Sequence, residues 1–224
     1  MKFRSFKPLL VGLDEAGRGS CVGPLAVSLV ALDEAGARAL EEAGVRDSKK
    51  LTPSARLDLL PVIMVNSAFV AVKMVQPYEI DRHNVSSLTM KAMASLVEAV
   101  SRANIKRVVA DCVKPVKRLE RMLRGRLSGR CDVLVVEDAD DRYVECMAAS
   151  IVAKVARDME ISKLRDKYGV RGSGYPSDPE TLSWLVSLAS QSSIPPCVRR
   201  SWRTLRKFPR EAALDLWLQE GRRA

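Results

Sequence analysis

The chain predicts an α/β fold built on five short strands. Three observations carry that prediction. Its 224 residues suit one α/β domain with an extension, or at most two small domains. Its composition, 47% hydrophobic, 5% aromatic and 29% charged, is that of a folded globular chain and not of a disordered one. Five short apolar runs rich in Val, Leu and Ala are separated by segments whose apolar residues recur at helical spacing.

Pro8 to Leu13 is apolar apart from one glycine, and Pro24 to Leu32 is a second Val/Leu/Ala run, so two buried strands joined through a tight turn are expected. Asp14 and Glu15 then fall at a strand end. Asp33 to Val45 reads as helix or loop and 46–50 as a charged turn, after which Thr52-Pro53 reads as an N-cap with proline at the first helical position, opening a helix to about Met64. Ala68 to Val75 is the third strand. Val85, Leu88, Ala92, Leu96 and Val100 mark a helix to about Arg102, and Ile105 to Ala110 is a fourth strand ending on Asp111. Pro115 to about Arg124 predicts a short helix with Lys117, Arg121 and Arg124 on one face, read equally as a solvated face or a polyanion contact. Asp132 to Val136 is the fifth strand, and Glu137, Asp138, Asp140 and Asp141 follow it. A long helix from about Arg142 to Tyr168 has Val144, Met147, Ile151, Val155 and Met159 as its apolar stripe, with Ala148, Ala149, Ser150 and Ala153 allowing close packing. The loop 172–179 ends in an N-cap and proline that open a helix to about Leu188, and the tail around Val198, Trp202 and Leu205 is expected to be helical, ringed by Arg199, Arg200, Arg203, Arg206 and Lys207.

The formal net charge of +10 and a pI near 9.6 favour a polyanionic partner, nucleic acid ahead of membrane, because no long basic amphipathic helix with aromatic anchors is present. Charges interrupt every apolar stretch well before about 18 residues, so no membrane span is expected, and the N-terminus does not continue as a signal peptide. The five cysteines are odd in number, scattered and free of Cys-x-x-Cys pairs, which argues against a disulfide framework and a zinc site and for buried thiols in a reducing cytoplasm. The single histidine, His83, reads as a loop or helix-start residue. There is no internal repeat and no low-complexity linker.

For Asp14-Glu15 alone the default is a surface turn with two solvated acids. Three of the five strands, however, end in or near carboxylates: Asp14-Glu15, Asp111 and the 138–141 cluster. If those strands lie side by side, the acids converge at one edge of the sheet, where hard oxygen ligands can hold two magnesium or manganese ions about 3.5–4 Å apart. Such a pair activates water for attack on a phosphodiester. Without cations the crowding is costly, since like charges at about 4 Å repel by about 4 kcal/mol at an effective dielectric near 20.

Five segments closely resemble ribonuclease HII, the type 2 ribonuclease H: Leu13-Asp14-Glu15-Ala16-Gly17-Arg18-Gly19, residues 46–52, Ala139-Asp140-Asp141, residues 148–155 with Arg157-Asp158, and residues 172–179. The ending Pro195-Pro196 with Val198-Arg199-Arg200-Ser201-Trp202 resembles its archaeal form, and the match runs from about residue 9 to 208. The resemblance implies a ribonuclease H-like fold, a mixed five-stranded sheet flanked by helices, with a catalytic domain over 1–176 and a helical C-terminal extension over 177–224. It implies endonucleolytic cleavage of RNA in RNA–DNA hybrids and at single ribonucleotides in duplex DNA, leaving 3′-hydroxyl and 5′-phosphate ends. By motif position Asp14, Glu15, Asp111 and Asp140 correspond to four carboxylates that bind two Mg2+ or Mn2+ ions. Asp140 is preferred to Asp141, which suits an N-cap of the long helix. Gly17-Arg18-Gly19 is similar to the loop that reads the ribose 2′-hydroxyl through backbone groups. Tyr175 matches the tyrosine that packs on the deoxyribose beyond the ribonucleotide, and Lys49 matches a phosphate contact with Arg46, Ser48 and Lys50 beside it.

Two departures stand out. Glu137-Asp138 adds negative charge where archaeal relatives often carry basic residues, and Ser20-Cys21 replaces the proline-containing turn that commonly follows Gly-Arg-Gly. Other ribonuclease H-fold nucleases, such as resolvases, and a noncatalytic hybrid-binding module are the competing readings. Trp202 and its arginines read as a duplex clamp, or Trp202 as core with the arginines solvated, and a mixture of the two is favoured. A cytoplasmic monomer is expected. Residues 209–224 show no recognisable sliding-clamp motif, and clamp binding stays open.

Overall fold

The structure is a computed structural model that describes residues 5–45, 51–127, 131–188, 194–202 and 205. In chain order its elements are β1 (Leu9–Ala16), β2 (Leu25–Leu32), α1 (Glu34–Glu42), α2 (Pro53–Asn66), β3 (Phe69–Val75), α3 (Pro77–Arg82), α4 (Val85–Val100), β4 (Ile105–Asp111), α5 (Val116–Arg124), β5 (Asp132–Val136), a 3-10 turn (Ala139–Asp141), α6 (Val144–Tyr168) and α7 (Pro179–Ser187). The strands form one mixed sheet in the order β3-β2-β1-β4-β5. β1 pairs antiparallel with β2 and parallel with β4, and β4 pairs parallel with β5. This is the α/β fold with a mixed five-stranded sheet that the sequence predicts.

The chain divides into two compact units. The first comprises residues 1–16, 26–74 and 86–156, and holds almost the whole sheet; the second comprises 17–25, 75–85 and 157–224. In the first, Leu10, Val30 and Leu32 pack with α1, α2 and the first half of α6 through Leu40, Ile63, Ala148, Ile151 and Val155. The close fit of α6 explains Gly12: a Cβ there would lie 2.1 Å from the Glu145 carbonyl oxygen, so the strand must be bare at the point where the helix backbone crosses it. In the second unit Cys21, Val22, Val170, Trp184, Leu185 and Val198 form a separate apolar core.

Helix starts follow local chemistry. Thr52 caps α2 by accepting from the Ala55 N–H at 3.2 Å. Asp178 caps α7 and Asp33 caps α1 in the same manner.

Several expectations are corrected. β1 continues through Asp14 and Glu15 to Ala16, with Asp14 opposite Ser28 and Glu15 opposite Val27, so the pair sits inside the last turn of the pleat and not beyond it. The connection to β2 is an eight-residue loop, 17–24, and not a tight turn. Asp141 does not cap α6, because 139–141 closes a 3-10 turn and the helix begins only at Val144. Met159 leaves the apolar stripe and is 51% exposed. Among the described residues the tail carries no α-helix: Val198 bridges to Val22, 200–201 is turn, and Leu205 is 3-10. Arg199 is wholly buried there, and its Nε and Nη1 donate to the carbonyls of Gly23 and Arg18 at 3.0 and 3.2 Å. Trp202 is half-buried against the second core and donates to the Gly19 carbonyl at 3.3 Å. Arg203, Arg206 and Lys207 lie outside the described residues. All five cysteines are free, but Cys112 and Cys131 are only half-buried. No helix among the described residues is long and apolar enough to cross a membrane.

Candidate active site

The parallel pairing of β1, β4 and β5 puts the C-terminal ends of three acid-bearing strands side by side. There, carboxylate oxygens of Asp14, Glu15 and Asp111 lie within 4.8 Å of one another, and those of Asp138, Asp140 and Asp141 form a second such group. Asp111 Oδ1 accepts from the Ala139 N–H at 3.1 Å, which ties the end of β4 to the turn that carries Asp140. The turn itself is set by Asp138 in the left-handed region, φ 53°, a conformation aspartate tolerates better than most residues. Asp140 points inward and is 4% exposed, whereas Asp138 and Asp141 are exposed.

Asp14 is the electrostatic centre of the group. Burial pushes its carboxyl up from 3.8 to about 7; hydrogen bonds from Ser150 and from the Glu15 N–H oppose this, while the charges of Asp111 and Asp140 add to it. Ser150 is wholly buried on α6, with Oγ 3.4 Å from Asp140 Oδ2. Lys154, one turn later, donates to Ser150 Oγ at 2.6 Å and stands 3.9 Å from Asp140 Oδ2. A set of hard oxygen donors whose central carboxyl is kept from ionising by burial and by the charges of its fellow carboxylates fits divalent cations. Asp14, Glu15, Asp111 and Asp140 are the residues that would hold them.

The two departures find partners. Glu137 is exposed and pairs with Lys114 at 3.2 Å, which offsets its charge, and Asp138 shares the second acidic group. Ser20, standing where a proline is common, is wholly buried, with Oγ 2.5 Å from the Val22 carbonyl and 2.7 Å from the Gly174 carbonyl. Arg157 donates to that same Oγ at 3.0 Å.

Within the second unit the Gly17-Arg18-Gly19 loop and Tyr175 meet directly: the Gly17 N–H donates to Tyr175 Oη at 3.1 Å. Gly17 has φ +89°, and a Cβ there would lie 2.6 Å from Arg157 Cδ, so both conformation and space require glycine. Gly19 is exposed with open space around its Cβ direction. Arg18 is half-buried. Arg157 is buried beneath this assembly, its guanidinium 4.4 Å from the Tyr175 ring centroid and its Nη2 2.7 Å from the Ser173 carbonyl. Arg46, Ser48 and Lys49 lie outside the described residues.

Sequence reasoning missed the roles of Ser150, Lys154, Arg157 and Arg199. The signal for the first two was present: a serine and a lysine four residues apart in the alanine-rich part of the long helix, on one face. The two arginines stand in the motifs that carry the resemblance, but their roles could not be read there, since their partners are backbone carbonyls and rings distant in the chain.

A family profile described as Ribonuclease HII matches residues 11–205. The chain is 43% identical over 203 residues to a ribonuclease HII of Aeropyrum pernix, covering 89% of this chain and 90% of that protein. It is similar to the crystal structure of a ribonuclease H2 from Pyrococcus horikoshii OT3, with a TM-score of 0.79, 35% identity, and 96% and 100% of the two chains covered. The ribonuclease HII in a PCNA complex from Archaeoglobus fulgidus superposes with a TM-score of 0.77 at 34% identity, over 87% of this chain and 95% of that one.

Proposed function

Because this chain belongs to the ribonuclease HII family, and is thereby a metal-dependent ribonuclease H acting on RNA in hybrids, we propose that it also cuts at single ribonucleotides embedded in duplex DNA. On this reading it works by two-metal-ion hydrolysis and leaves 3′-hydroxyl and 5′-phosphate ends. The observation that supports it best is the meeting of Asp14, Glu15 and Asp111 within 4.8 Å, with Asp140 close enough to act on Asp14.

The chemistry that bound magnesium or manganese supplies is activation of a water and stabilisation of the leaving oxygen. The protein's own groups do the rest. Asp111 and Asp140 are held by the β4-to-turn hydrogen bond, and Ser150 fixes Asp14 relative to Asp140. The Gly17-Arg18-Gly19 loop offers backbone groups to the ribose 2′-hydroxyl, and Tyr175, held by Gly17 and Arg157, packs on the next sugar. Arg46, Ser48 and Lys49 bind phosphate. The catalytic domain is assigned to 1–176 and the extension to 177–224. The protein is placed in the cytoplasm as a monomer, testable by light scattering. The Archaeoglobus fulgidus relative was solved with PCNA, and a sliding clamp is carried over here as a candidate partner for a pull-down.

The decisive experiment maps cleavage on a duplex with one ribonucleotide, on a full RNA–DNA hybrid and on all-DNA duplex, with each metal. Cutting 5′ to the ribonucleotide, lost in Asp14→Asn, is the expected result. A wild type that cuts hybrid but leaves the single-ribonucleotide duplex intact overturns the excision reading.

A further inference from the structure

Within the first unit, α6 places a cation against the acidic cluster, and nothing in the hydrolysis described above uses it. Lys154 is about three-quarters buried, with Nζ 3.9 Å from Asp140 Oδ2 and 2.6 Å from Ser150 Oγ. An ammonium has only donors and a hydroxyl has one proton. With Lys154 donating into the Ser150 oxygen, the Ser150 proton is directed to the carboxylates, Asp14 and Asp140. The lysine therefore acts on Asp140 twice, directly by charge and through Ser150.

We propose that Lys154 is a resident counter-cation of the carboxylate cluster. In the free protein it offsets part of the Asp140 charge and weakens divalent-ion binding, so that full occupancy depends on the negative charge of a nucleic-acid phosphate. The charge balance carries the argument. Four ionised carboxylates are balanced by two divalent ions, and Lys154 then leaves the assembled site with one positive charge in excess, which one phosphodiester offsets. Asp138 and Asp141 are exposed, so water and salt screen their contribution more than that of the buried pair. The proposal rests on the assignment of Asp14, Glu15, Asp111 and Asp140 as metal ligands.

The test is calorimetric titration of substrate-free protein with magnesium chloride, with far-UV circular dichroism as the check on folding. Lys154→Met is expected to bind Mg2+ about tenfold more tightly than wild type, and Lys154→Arg, which keeps the charge, to bind like wild type. Should Lys154→Met not fold, Lys154→Gln takes its place with the same expectation. Binding that is unchanged or weaker in the neutral variants overturns the proposal, since a lysine that merely braced Asp140 gives that result on removal. Asp140→Asn serves as the control on the underlying assignment. If it binds Mg2+ as wild type does, the ligand assignment fails, whereas normal loss in Asp140→Asn with no gain in Lys154→Met sinks the counter-cation alone.

Discussion

Replacing Asp14 by Asn is expected to stabilise the metal-free protein at neutral pH while abolishing its cleavage activity. Burial and the neighbouring carboxylates lift the folded-state pKa of Asp14 from 3.8 to about 7. In the unfolded chain the carboxyl ionises near its ordinary value, so between about pH 4 and pH 7 the folded state holds the extra proton. Stability therefore falls as pH rises through this window, and the loss is complete above about pH 7. The difference corresponds to about 4 kcal/mol, a ceiling because Asp111 and Asp140 share the repulsion. An uncharged isostere escapes that cost. In EDTA, urea denaturation should find Asp14→Asn more stable than wild type by about 2–4 kcal/mol at pH 8, and by far less at pH 4. Millimolar Mg2+ should recover stability in the wild type and do little for the variant. A variant no more stable than wild type at pH 8, or a gain that does not shrink on acidification, would show that Asp14 is not held ionised against its surroundings.

Four further outcomes are expected. Glu15→Asp keeps the charge but shortens the reach by one carbon–carbon bond, about 1.5 Å, and should weaken Mg2+ binding by about tenfold in a calorimetric titration of free protein. Gly12→Ala forces a Cβ against the Glu145 carbonyl at 2.1 Å and should cost about 3 kcal/mol or more in urea denaturation, as overpacking against immovable backbone does. Arg107→Met strips the wholly buried Glu145 of its ion-pair partner, now bonded at 2.6 and 3.2 Å; a loss of about 3 kcal/mol is expected at pH 8. Buried Cys21, Cys146 and Cys197, whose thiols are pushed up chiefly by burial, should resist a thiol reagent at pH 8 until the chain is unfolded, which a timed absorbance assay reads.

Much of the fold was legible because its strands are rich in Val, Leu and Ala, broken by few charges such as Lys73, Lys106 and Arg107, and its helix starts carry Thr52-Pro53 and Asp178-Pro179, cues that act locally. Two of the misplacements share a cause: hydropathy treats an acid or an arginine as a chain segment's exit to water. β1 was expected to stop at Leu13, yet strand pairing to Ser28 and Val27 carries it on, and Ser150 from a distant helix supplies what the buried Asp14 needs. Arg199 reads as solvated in the sequence; backbone carbonyls of Gly23 and Arg18, 176 and 181 residues away, bury it. Six-residue α3 is too short to show a period. Asp111 and Asp140 were legible as strand-end acids, but their mutual placement depends on the Asp138 turn and on the Ala139 N–H, which no spacing rule encodes.

The doublet at Asp14-Glu15 raises a geometric question that the strand resolves. Successive side chains on a strand leave on opposite faces, and yet one oxygen of each lies within 4.8 Å of the other and of Asp111. Asp14 turns back far enough to accept from the N–H of Glu15 itself at 2.7 Å, while Glu15, longer and half-buried, has the reach to come round the strand end. That end is also where the sheet ladder stops and the chain enters Gly17, whose φ of +89° no other residue adopts without strain. From Glu15 to Gly17 the chain spans at most about 7 Å. A strand end is thus a place where the oxygens of two consecutive acids can come together.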